Sequence, residues 1–340
     1  MRVPLPAAMT TTSTAIEERL DVVGAMVMVG AAAAASEGAE GGLQRGPRGG
    51  AGGLRKVARI IGALLLAVVL GGCSAVRLAY NNLPEISYWW LDGYLDFDGA
   101  QSLQVKAALA GLQEWHRREE LPRFVALAGQ ARDLARGDIT ATQVCAMSDA
   151  VQARLLALAL RAEPEATTLA QSLSPAQLQV LERKFTRING EFRREWLRLL
   201  PAEVQDKRYD TFLDRYEDFY GPLDSRQREL LRQTVSQSAF SPQKLDNVRR
   251  ARQAEVMALL RGLQQQPGLP AAEAQQRVHA LVMRVFEPPP GEWRTQQDAL
   301  TQEGCRNTAQ LHAAMSPTQR ERAAQRIEGY RQDLIALTAP

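Results

Sequence analysis

One stretch of this chain leaves little choice of fold. At Ser174-Pro175-Ala176-Gln177 a helix-capping residue is followed by a proline at the first helical position and by a glutamine three residues on, the arrangement of a capping box. Behind it Leu178, Leu181, Phe185, Ile188, Phe192, Trp196 and Leu199 recur at spacings of three and four. Only a helix laid against a core puts all seven on one face. Pro201 predicts its end. The start signal recurs at Leu223-Asp224-Ser225-Arg226-Gln227 and Met315-Ser316-Pro317-Thr318-Gln319, at unequal spacings, and in part at Phe240-Ser241-Pro242. Further helices are expected over 101–119, 122–136, 140–161, 202–220, 242–263, 271–286 and 292–314, with breaks at Pro267-Gly268-Leu269-Pro270 and Pro288-Pro289-Pro290. No stretch alternates with the period of a strand. The expected fold is all-α, an antiparallel multi-helix, bundle-like body.

The N-terminal third reads differently. Arg55, Lys56 and Arg59 precede the apolar run Ile60 to Leu70, which leads into Gly71, Gly72 and Cys73. A basic start, a short apolar core and small residues before a cut site are the parts of a secretory signal peptide. The run falls well short of the roughly 20 residues that cross a bilayer. Cys73 directly after Leu70-Gly71-Gly72 resembles the bacterial lipobox. That resemblance implies cleavage before Cys73, a diacylglyceryl group on its thiol and usually a third chain on its amine. Two or more chains hold a protein firmly to a membrane. Ser74, where inner-membrane lipoproteins often carry Asp, implies the outer membrane. The chain thus divides into an Ala- and Gly-rich leader at 1–53, read as a start assigned too far upstream or a long leader, and a signal peptide at 54–72. A lipidated tether and aromatic segment at 73–99 follow, then a helical domain at 100–340. Residues 74–84, fully extended, would reach about 35–40 Å.

Composition narrows the function. A net charge of +3 over 340 residues carries no signature of a nucleic-acid binder. Besides Cys73 the chain holds Cys145 and Cys305, and an even remainder in an exported chain predicts a disulfide between them. His116, His279 and His312 lie far apart without metal-ligand spacing, and there is no nucleophile elbow or phosphate-binding glycine loop. No catalytic residue, metal or cofactor is expected. His116 and Glu120 stand four apart in Trp115-His116-Arg117-Arg118-Glu119-Glu120, where the carboxylate could orient the imidazole; the favoured reading is a surface ion-pair network. Trp89 and Trp90 could rest at a lipid interface or pack into the body. Tyr209, Phe212, Tyr216, Phe219 and Tyr220 form an aromatic stripe that would serve as a binding groove or, the favoured reading, as core. Arg183, Lys184, Arg187, Arg194 and Arg198 read as a solvated face, with anionic envelope polymers as the alternative.

Several blocks carry a further resemblance: Leu78-Ala79-Tyr80-Asn81-Asn82-Leu83, Tyr88 to Asp96, Trp115-His116-Arg117 with Leu121-Pro122, and Leu173 to Gln177. Together they resemble an uncharacterised family of proteobacterial all-helical lipoproteins, most closely over 73–200. The resemblance implies a helical fold and supplies no active residue beyond the lipid-bearing Cys73. The Ser-Pro-x-Gln starts are also similar to the Leu-Thr-x-x-Gln motif of small periplasmic helical chaperones. The expected function is non-enzymatic: an outer-membrane-anchored periplasmic scaffold, adaptor or envelope-maintenance factor, with the membrane and an envelope protein as partners. The alternatives are a chaperone-like binder of unfolded or apolar segments and, less favoured, an envelope hydrolase.

Overall fold

The computed structural model describes residues 72–338, with side chains from residue 76 onward. Among the described residues every regular element is helical, as the periodicity requires. In chain order these are α1 (Gly72–Asn81), α2 (Leu83–Leu95), α3 (Gly99–Trp115), α4 (Leu121–Arg136), α5 (Ala141–Ser172) and α6 (Pro175–Phe192). Then come α7 (Pro201–Tyr220), α8 (Ser225–Ser236), α9 (Pro242–Gln264), α10 (Ala271–Phe286), α11 (Glu292–Ala313) and α12 (Pro317–Thr338). Single π-turns at His116–Glu120 and Arg193–Leu197 extend α3 and α6.

The helix starts follow their caps. Asp98, Thr140, Ser174 and Asp224 each accept from the backbone N–H three residues on, and the glutamine there accepts from the cap's own N–H. Ser316 and Gln319 do the same at the head of α12. Three expectations need correction. Residues 74–84, expected as an extended tether, lie in α1 and the first turn of α2. The helix expected to stop at residue 161 runs on through Pro164 to Ser172, because burial of Ala159 and Ala162 on the near side and Ala170 beyond outweighs the lost backbone bond. The helices expected separately over 101–119 and 122–136 are joined by a π-turn, whose wider ring accommodates Pro122 without ending the helical path.

Packing is only partly between sequence neighbours. α2 lies on α3, and α7 on α8, but the longest contact joins α4 to α12, and α5 packs on α10 and α11. Two large cores result. One gathers Leu91 and Tyr94 of α2, Leu109 of α3, Leu158 of α5, Leu181 and Phe185 of α6, Leu260 of α9 and Leu281 of α10. The other gathers Tyr216 and Phe219 of α7, Leu231 of α8, Leu311 of α11 and Ile327 of α12. A third, small cluster of Tyr80, Leu83, Leu121 and Leu337 fastens α1 to α12. The 32-residue α5, about 48 Å long, carries side chains of the first core toward its C-terminal end. Near its start Val144 and Met147 face Phe219 and Tyr220 across a small cavity.

Each core is closed by the same device. In the first, the capping-box glutamines of α3 and α6 bond each other: Gln177 Nε2 donates to Gln101 Oε1 at 2.6 Å and Gln101 Nε2 to Gln177 Oε1 at 3.3 Å. In the second, those of α8 and α12 do so: Gln227 Nε2 donates to Gln319 Oε1 at 2.8 Å, with the return bond at 3.1 Å. Tyr94, Asp98 and Gln101 recur at the same spacing as Tyr220, Asp224 and Gln227.

Candidate functional site

The residues singled out by sequence separate into distinct places. Cys73 falls within α1, seven residues before the buried Tyr80; the signal-peptide residues 54–71 and the leader lie outside the described residues. Cys145, in the first turns of α5, and Cys305, on α11, are at disulfide-bonding distance, with Cα atoms 5.4 Å apart. Trp89 is 64% exposed, whereas Trp90 is half-buried and its ring meets that of Tyr94 at 4.3 Å. Tyr209, Tyr216 and Phe219 are buried and Phe212 packs against the same core. The stripe on α7 thus packs into the second core with α8, α11 and α12, and Phe212 and Tyr216 also border a small cavity against α8 and α11. The basic face of α6 is partly engaged within the protein, Lys184 over the Tyr94 ring at 4.4 Å and Arg187 against Glu191 at 3.8 Å.

The histidines are structural in geometry. His312 is buried, its Nε2 2.8 Å from the Gly137 carbonyl and its Nδ1 2.9 Å from the Tyr220 hydroxyl. The carbonyl can only accept, so Nε2 carries the proton and Nδ1 accepts from the tyrosine. Burial holds its pKa below the ordinary value. His279 leans on the buried Glu163 at 3.1 Å. Among the described residues no group of His, Cys, Asp or Glu could hold a metal ion.

The Trp115–Glu120 cluster is only in part the surface network expected: Arg118 pairs with Glu114 and Glu119 on the surface, but the rest turns inward. The π-turn carries Glu120 inward to 1% exposure, where it pairs with Arg123 at 3.1 Å and Arg154 at 3.5 Å. His116 Nδ1 lies 3.0 Å from the Tyr80 hydroxyl, and Arg117 donates to Asn81 and to the Leu337 carbonyl. Burial raises Tyr80 to about 12 and lowers His116 to about 4, so the tyrosine donates and the neutral imidazole accepts. A depressed folded-state pKa means that the unfolded chain binds the proton first. Stability is then complete above pH 6.5 and is lost as pH falls through the window down to about 4. The loss should approach about 3 kcal/mol. Urea unfolding between pH 7 and 4.5 should show this slope, and His116→Gln should flatten it; an unchanged slope would exclude His116 as its source.

Besides these small cavities the described residues form a larger concave feature. A groove of about 350 Å³ runs between α3 and α5. Leu91, Val105, Leu109 and Leu112 line its apolar wall, and Arg161 and Glu165 stand at its edge. It offers apolar contact and two charges, and no nucleophile faces a base across it. The sequence missed it, because the groove arises where Ala107, Ala108 and Gly111 of α3 meet Ala162 and Ala166 of α5 and too little side chain fills the gap.

Comparison with known families places the chain without assigning it an activity. The model of a family of unknown function, DUF6279, matches residues 93–281. The chain belongs to that family. The match begins later than the Leu78–Asp96 blocks suggest and reaches well past residue 200, covering α3 to α10 and stopping within α10. No curated protein and no solved structure matches the chain. This DUF6279 member therefore takes its functional reading from its own residues.

Proposed function

We propose that this protein is a lipoprotein held at the periplasmic face of the outer membrane, acting there as a non-enzymatic scaffold, adaptor or envelope-maintenance factor. The observation that carries the reading is Leu70-Gly71-Gly72-Cys73 at the end of a basic-then-apolar segment, followed by Ser74. The pair Cys145 and Cys305 at disulfide-bonding distance supports it, since such bridges persist in oxidising compartments. Among the described residues no helix is long and apolar enough to cross a membrane. Cys73→Ala should abolish labelling by fatty acid and leave unprocessed protein at the inner membrane. A variant that still reaches the outer membrane in processed form would sink the reading.

A second reading draws on the α3–α5 groove, whose apolar wall suits exposed apolar segments of other proteins. Crosslinking in the envelope separates the two. A single stoichiometric partner favours the scaffold, and many unfolded clients lost on Ala108→Arg favour the chaperone-like binder.

A further inference from the structure

The helix that follows Cys73 carries an apolar stripe on its outer side. The Asn82 N–H donates to the Leu78 carbonyl at 3.2 Å and the Ile86 N–H to the Asn82 carbonyl at 3.0 Å. The helical ladder therefore continues across the α1–α2 junction, although Pro84 contributes no donor there. Leu78, Asn82, Ile86, Trp89 and Gly93 then succeed one another at steps of four, four, three and four, which is one helix face. On it Leu78 is 67% exposed, Ile86 45% and Trp89 64%. These are three of the seven large apolar side chains exposed among the described residues; the other four are Leu103, Leu160, Leu200 and Ile335, each on a different segment.

The orientation of this face is set by what holds its back. Tyr80 and Leu83 pack on Leu121 and Leu337, with Val76 and Leu334 beside them. Arg77 reaches Asp333 at 3.4 Å. Leu91 and Leu95 enter the first core. These contacts fix the roll of the helix, and among the described residues Leu78, Ile86 and Trp89 stay exposed on its outer face, with only the Tyr88 ring against Trp89.

We propose that α1 and the first half of α2 lie along the surface of a phospholipid bilayer, with Leu78, Ile86 and Trp89 seated in its interfacial layer. The inference rests on the membrane placement proposed above. What lies just before α1 in the sequence favours the bilayer as the occupant. The chain leads through the apolar run Ile60–Leu70 directly into α1. Leu78 lies about 8 Å along the helix from Cys73 at 1.5 Å per residue. A lipid on Cys73, or the apolar run itself, would bring the stripe to the bilayer. An indole at the rim of apolar contact is the side chain that favours this layer. A second copy of the chain is a poorer occupant, because three side chains fall well short of the about 800 Å² that each partner of a stable complex buries. Docked in this way, the body would be held against the membrane in one orientation instead of swinging on a tether.

The test uses the full-length protein purified from membranes and reconstituted into phosphatidylethanolamine–phosphatidylglycerol vesicles with brominated acyl chains. The emission lost on Trp89→Phe isolates that indole from the other four tryptophans. It should be quenched about twofold or more by the brominated lipid, as expected for an indole at headgroup depth. Leu78→Ser with Ile86→Ser should reverse most of the quenching. All three positions are exposed, so these variants should keep the wild-type circular dichroism. Mass analysis of the same sample reports acylation of Cys73 independently. An acylated protein whose Trp89 stays unquenched overturns the docking and leaves the anchor standing. Unquenched but blue-shifted Trp89 emission, meaning that protein covers the stripe, also overturns it. An unacylated sample sinks the anchor reading, while Trp89 quenching in it still supports the docked face.

Discussion

Removing the Cys145–Cys305 link should lower the unfolding free energy by about 2–5 kcal/mol and the melting temperature by about 5–15 °C. The bridge spans 160 residues of sequence, a loop for which chain entropy alone gives about 5 kcal/mol as an upper value. The loop encloses α6 to α10 and most of α5 and α11. Cys305 is 1% exposed, and Val144 and Met147 beside Cys145 are buried. The pairing therefore fixes α5 against α11 within packed structure. Cys145→Ala with Cys305→Ala removes the link without leaving a buried hydroxyl. Scanning calorimetry of wild type, reduced wild type and the double variant should place the second and third together, well below the first. Equal melting temperatures, or two freely alkylated thiols in the exported protein, would refute the bridge.

The second large effect concerns the glutamine clasps. Gln177→Glu and Gln227→Glu should each cost about 2 kcal/mol or more. Glutamate at this position makes a good capping box, so local helix chemistry predicts little change. The clasp reverses that expectation. Gln177 Nε2 donates to the Asp96 carbonyl as well as to Gln101. Gln227 Nε2 donates to the Ala314 carbonyl as well as to Gln319. A carboxylate supplies neither donor and turns its charge toward those carbonyls in buried surroundings. Gln143 is the internal control. Its box with Thr140 is exposed, and Gln143→Glu should change stability by no more than about 0.5 kcal/mol. Denaturant unfolding of the three variants checks the contrast; equal small effects at all three would reduce the clasps to ordinary caps.

What was legible in the sequence was local. The caps at Ser174, Asp224 and Ser316, and the three-four spacing of Leu178, Leu181 and Phe185, specify helix starts and a buried face, and those residues do both jobs. Farther along that stripe Ile188, Phe192, Trp196 and Leu199 are only half-buried, and beyond Phe192 the π-turn at Arg193–Leu197 adds a residue to the turn and shifts the face further. The inward turn of Glu120 escaped for the same reason: a 3.6-residue period cannot anticipate a five-residue ring. Pro164 reads as a stop in any local rule, and only packing on both sides of it carries α5 through. The clasps are the clearest limit. Each glutamine announces a cap, but its second partner lies 76 or 92 residues away, a distance that local pattern does not encode. The aromatic stripe of α7 illustrates an ambiguity in kind. Tyr209, Phe212, Tyr216 and Phe219 would read alike in a groove or a core, and the helices that cover them decide it.

The central claim, attachment through Cys73, is tested most directly by mass spectrometry of the tryptic N-terminal peptide from protein purified out of the membrane. Cleavage before Cys73 and after Arg77 leaves Cys73-Ser74-Ala75-Val76-Arg77. The account predicts this peptide with a diacylglyceryl group on the thiol and an acyl chain on the amine. An unmodified peptide running from Ile60 to Arg77, cut only after Arg59 and Arg77, would contradict it.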